Sequence, residues 1–141
     1  DKIFIAGIIC FILAYGEYAV VYTIFGGGFK TIDILFGVLF LALYVYLMRL
    51  YWKKLGNYRI PVMVYGLFMP FMVSRAVSTL FGDAFSLASA LLVVLGSAML
   101  FIGDIEYGVH RFVRERKTTY GPILYAGGQL LIALSCAYFF S

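Results

Sequence analysis

Asp104 sits inside a long apolar run, seven residues ahead of Arg111, and of all the side chains in this sequence it is the one best placed to move a proton. In a helix that spacing is about 10 Å of rise, so the carboxyl would lie within hydrocarbon while the arginine stays at an interface. Gln129 falls at a similar depth when counted from Gly121, and Tyr125 lies one turn away on the same face. Tyr65 and Met69, in an earlier apolar run, reach the same level. A carboxyl, an amide and phenols gathered at one depth could perform general acid–base chemistry on a molecule dissolved in the bilayer. The same set could equally be an interhelical hydrogen-bond cluster.

Other ionisable residues lie in apolar runs too, and each needs a reason, because a charge at the centre of a bilayer costs roughly 2.5–3.5 kcal/mol even on the lenient insertion scale. Glu17 and Arg75 both fall in the half of their runs remote from the arginine-rich connections, which suits an intramembrane pair, structural or part of a relay. Glu106 and His110, spaced i, i+4, share a face that points away from Asp104 and read as an interfacial ion pair. A single histidine without acids or cysteines at ligand spacing makes a poor metal site, and no cofactor motif is present. Tyr15, Tyr18 and Tyr22 form a stripe at helical spacing of the kind that packs. Cys10 and Cys136 lie inside apolar runs and read as small packing residues, not as a disulfide.

The elements that must hold these groups are membrane spans. Hydrophobic residues make up 64% of the 141 residues and charged residues only 13%, too little polar surface for a soluble domain. Five stretches, 3–25, 32–51, 61–81, 84–109 and 121–140, each approach the ~20 residues that a helix needs to cross ~30 Å of hydrocarbon. Strands of a barrel would be about half as long and would alternate. The expected fold is all-α: one polytopic transmembrane helix bundle over residues 1–141. The net charge of +4 resides in the connections, so it reports topology and not nucleic acid. With the amino terminus cytoplasmic and the carboxyl terminus outside, Lys2, Arg49, Lys53, Lys54, Arg59, Arg111, Arg114, Arg116 and Lys117 are all cytoplasmic; only Lys30 is outside, and Arg75 lies within a span.

Local signals refine the spans. Gly26-Gly27-Gly28 suits a tight turn, with Thr31 or Asp33 capping the second helix. Asp83 is the simplest cap for the fourth, Pro122 fits the first turn of the fifth, and Pro70 should kink the third. Ser86, Ser89, Ala90, Gly96 and Ser97 share about one face with Asp104, a surface for close helix approach or a polar groove. The chain begins at Asp1 and not at methionine, a start that fits a processed or incomplete chain.

The run Leu95-Gly96-Ser97-Ala98-Met99-Leu100-Phe101-Ile102-Gly103-Asp104, followed by Arg111-Phe112 and by Tyr125-Ala126-Gly127-Gly128-Gln129-Leu130-Leu131-Ile132-Ala133, resembles the carboxyl-terminal half of the YhhN-like lysoplasmalogenases. Arg59-Ile60-Pro61-Val62 with Tyr65, and Phe4-Ile5-Ala6-Gly7 through Phe11-Ile12-Leu13-Ala14, are similar to the same family upstream. Members usually have about eight spans of ~20 residues and carry a further Gly-Asp pair in an earlier helix. Tyr15 stands where a histidine is common in the family, and Gly103-Asp104 where Ser-Asp is frequent.

The resemblance implies a hydrolase that cleaves the vinyl ether of a lysoplasmalogen to a fatty aldehyde and a glycerophospho-base, with no cofactor. Such a reaction needs a proton on the alkene carbon, a stabilised oxocarbenium and a water, so two carboxyl groups in unlike environments suffice. On this reading Asp104 is one carboxyl, Gln129 and Tyr125 orient water or the ether oxygen, Tyr65 and Met69 line the pocket, and the second acid lies upstream. Arg111, Arg114 and Arg116 would hold the lysophospholipid phosphate, or else serve topology alone. Two other classes are open: a non-catalytic lipid-binding or assembly subunit, and a small transporter or channel using Glu17 and Arg75.

Overall fold

A computed structural model describes residues 2–114, 117–118 and 120–139 of the chain. It contains five long helices, α1 (Lys2–Phe25), α2 (Thr31–Tyr51), α3 (Arg59–Ser78), α4 (Leu87–Gly108) and α5 (Gly121–Ser135), and no strand among the described residues. With short 3₁₀ or π extensions, all five are long and apolar enough to cross a membrane. The helices alternate in direction. One end of the bundle gathers Lys2, the α2–α3 turn and the α4–α5 connection, where Phe4 packs on Tyr58 and Phe112. This is the basic end. The opposite end gathers the remaining turns, where Phe139 packs on Phe25 and Phe85.

Helix α3 packs against α1, α2 and α4, and α5 lies along α4. Lipid tails are as apolar as leucine, so helices in a bilayer associate through close packing and hydrogen bonds, not through expulsion of water. The small-residue face of α4 supplies both. A Cβ on Gly96 would stand 2.7 Å from the Gly128 carbonyl oxygen and 2.8 Å from Ile132 Cγ1, so only glycine permits this approach of α4 to α5. Nearby, the Ser89 hydroxyl donates to the Ser135 carbonyl at 2.9 Å, and Ser97 is fully buried. Tyr15, Met72, Ala76, Val93 and Leu100 close the middle of the bundle.

Several local expectations change. Asp83 does not cap α4; Ser86 does, accepting from the Ser89 amide at 3.2 Å, because the chain makes a further extended step before the helix begins. At α2 the N-cap is Lys30, and Asp33, three residues on, accepts from the Lys30 amide at 2.5 Å. The turn before it uses Gly27 and Gly28 at φ of 82° and 78°, where side chains are disfavoured. Helix α3 begins at Arg59, two residues before Pro61, and continues through Pro70. Pro70 has no amide hydrogen, so the Gly66 carbonyl loses its usual donor. Pro122 lies in the first turn of α5 as expected. Cys10 and Cys136 are free thiols on the outward surface, not core packing, because their helix positions face away from the neighbouring spans.

Candidate active site

Asp104 projects from α4 between α1 and α3. The Tyr15 hydroxyl donates to its carboxylate at 2.5 Å, and the Tyr65 phenol is also within interaction range of the same carboxylate. Tyr15 and Tyr65 stack on each other with ring centroids 5.8 Å apart. Phe11 packs edge-on against both Tyr65 and Tyr125, at 6.2 and 5.6 Å. Tyr15 is wholly buried, so its hydroxyl has no water to turn to and the carboxylate is its partner.

This cluster stands at the deep end of a cavity of about 470 Å³ that draws its walls from all five spans and runs toward the basic end. Met69, Pro70 and Phe101 lie beside Asp104, while Phe4, Phe112 and Thr118 lie nearer the basic end. The lining is almost entirely apolar, with Asp104, Thr118 and several phenols as its polar members. A π-helical segment, Val109–Arg114, carries Phe112 to this place, and such irregular turns let a helix re-aim side chains at a site. The adjoining connection is anchored by Glu106, which accepts from the Thr118 hydroxyl and from the Gly121 amide at 3.0 Å. Glu106 also forms the expected pair with His110, at 3.2 Å.

Of the candidate residues, Asp104, Tyr125, Tyr65 and Met69 line this one cavity. Gln129 does not line it; its side-chain oxygen accepts from the Tyr18 hydroxyl at 2.6 Å, one turn beyond Tyr125. Arg111 lies outside the lining and stacks its guanidinium over Phe4 at 4.3 Å, beside the basic end of the cavity. Arg114 is exposed at the same end, and Arg116 lies outside the described residues.

The Glu17–Arg75 pairing is replaced. Arg75 is fully buried and binds Asp33 at 2.5 Å, the Thr23 hydroxyl at 2.9 Å and the Gly28 carbonyl at 2.5 Å, with Phe29 across its guanidinium face at 4.6 Å. Glu17 lies on the exposed face of α1, since its neighbours Tyr15 and Ala19 take the inward positions. Depth alone made Glu17 the partner; helical phase and the α1–α2 turn bring Asp33 instead.

Sequence reasoning missed Tyr15 and Tyr18, read as packing, and they are the groups that hold Asp104 and Gln129. One signal could have found Tyr15: it stands where the resembling family favours histidine, another side chain able to donate a hydrogen bond.

Fold and site together define an integral, multi-pass membrane protein with an acid opening on an apolar cavity. Among family models, the one for the YhhN family matches residues 1–136, essentially the whole chain, and the chain belongs to that family, the lysoplasmalogenase family. No curated protein and no solved structure matches it.

Proposed function

We propose that this protein hydrolyses the vinyl ether of a lysoplasmalogen, with Asp104 as its proton donor. The observation that supports this reading best is a carboxyl group held by a buried phenol at the deep end of an apolar cavity that all five spans build. A lysolipid in the leaflet at the basic end would place its phosphate near Arg111 and Arg114 and its ether about 10 Å deeper, which is the helix rise from Arg111 to Asp104. With the amino terminus cytoplasmic, that leaflet is the inner one.

In the reaction, protonated Asp104 gives its proton to the alkene carbon remote from the ether oxygen, leaving an oxocarbenium ion. Water adds to the ether-bearing carbon and loses a proton. The hemiacetal then collapses, its C–O bond to glycerol breaking as the glycerol oxygen takes a proton, and fatty aldehyde and glycerophospho-base are released. Tyr15 positions the carboxyl and stabilises its anion after transfer. Tyr65 and Tyr125 supply hydroxyls that orient the ether or the water. Gln129, bound to Tyr18, supports the packing of α5 on α1 and does not act on substrate.

Purified protein supplied with lysoplasmalogen should release aldehyde, and Asp104→Asn should lower the rate by about 10²–10⁴-fold, the usual worth of a positioned acid. Aldehyde release at the wild-type rate by Asp104→Asn would remove Asp104 from the mechanism. With Cys10 and Cys136 replaced by alanine, a cysteine introduced as Lys53→Cys should react with an impermeant thiol reagent only from the cytoplasmic side. Labelling from outside would reverse the topology.

A further inference from the structure

A second cavity, about 590 Å³, runs along the groove between α2 and α3, and the chemistry above makes no use of it. Its walls are Ile34, Gly37, Leu41, Leu67 and Phe71, and the Arg75–Asp33 pair lies at its far end. Ile34, Leu41, Leu67 and Phe71 are all exposed, so the groove opens to hydrocarbon. Tyr44 and Pro70 line both cavities. The Tyr44 ring lies over Gly66 so closely that a Cβ there would come within 2.8 Å of it, and the Tyr44 hydroxyl donates to the Met63 carbonyl at 3.0 Å. One phenol, seated where a glycine makes room, thus stands at the junction of the Asp104 cavity and the groove.

A lysolipid in its leaflet points its tail away from its headgroup, toward the bilayer midplane. With phosphate at the basic end and ether at Asp104, the tail has to continue toward the opposite end. The straight path is closed by Tyr15, Met72, Ala76, Val93 and Leu100, all buried. The lateral direction leads to Tyr44 and Pro70, the side chains that the two cavities share as a wall. We propose that the α2–α3 groove holds the alkenyl tail of the substrate and that Tyr44 is its portal, an inference that rests on the reading of Asp104 as the acid. From Tyr44 to Ile34 the groove follows α2 for about 15 Å and then meets the Asp33–Arg75 charges, so it measures chain length.

Gly37 gives a clean test, because it lines the groove and a Cβ there meets nothing within 4 Å, so Gly37→Phe starts a ring into the groove from an unobstructed position. The variant should lower kcat/KM for octadecenyl lysoplasmalogen by about tenfold or more, leave the octenyl substrate essentially unchanged and keep the thermal midpoint of the wild type. Equal effects on both chain lengths, or none, would overturn the groove while leaving Asp104 as the acid. A second measurement does not depend on turnover: a saturated alkyl-ether lysolipid carrying a diazirine near its tail end. It should crosslink to residues 34–41 and 67–71 in the wild type and lose those products in Gly37→Phe. Crosslinking confined to α1, α4 or α5 would sink the proposal. Crosslinking in the groove without any aldehyde release would instead refute the hydrolase reading and keep the groove as a lipid-tail site.

Discussion

A carboxyl group that faces hydrocarbon must be matched by donors, because an unpaired one costs several kcal/mol. At Asp104 the match is Tyr15, a fully buried phenol at 2.5 Å, with the Tyr65 phenol beside it. Phenylalanine at this position keeps the ring and its stacking on Tyr65 but removes the donor. Tyr15→Phe should therefore lower kcat of aldehyde release by about 10–100-fold with KM little changed, the pattern of a positioning group. Tyr15→His, which restores a donor, should recover part of that loss. Equal rates for Tyr15→Phe and the wild type would show that the hydrogen bond has no part in the reaction.

At the scale of the helices, two devices join the spans. One is the glycine contact of α4 with α5, and the other is Arg75, which ties α3 to the end of α1, to the turn after it and to the start of α2 through Thr23, Gly28 and Asp33. A buried pair adds little compared with an apolar replacement, but removing one partner strands the other. Arg75→Leu should therefore destabilise the protein by about 3–5 kcal/mol, while the double change Arg75→Leu with Asp33→Leu should cost clearly less. Unfolding in mild detergent measures both. Equal losses in single and double variants would show that leaving Asp33 without Arg75 carries no cost. Because Glu17 lies outside this network, the polar pathway that a transporter reading would draw between Glu17 and Arg75 loses its pair.

For the molecule as a whole, the defining feature is an apolar space that five helices enclose without filling. Gly7 lines it, and a Cβ at Gly7 meets nothing within 4 Å. Gly7→Phe should leave the thermal midpoint of the protein where it is and reduce aldehyde release from every chain length by about tenfold or more, since the ring takes volume that the substrate needs. Unimpaired turnover by a stably folded Gly7→Phe protein would mean that substrate reaches Asp104 by another route.

Much of this was legible in the sequence. Five apolar helices long enough to span a membrane, and the small-residue face of α4, follow from hydropathy and from helical periodicity, quantities local to each helix. Helix length and position along a helix need no knowledge of neighbours. Which helices touch, and with which face, is different. Glu17 and Asp33 lie at depths that could both serve Arg75, and only the rotation of α1 and the path of its turn selected Asp33. Tyr15 read as one member of an aromatic stripe until α1, α3 and α4 were brought together around Asp104. The sequence by itself determined where along each apolar helix a chemical group stands; the tertiary structure decided which groups meet, because helix rotation and pairing arise from contacts between spans that no single span encodes.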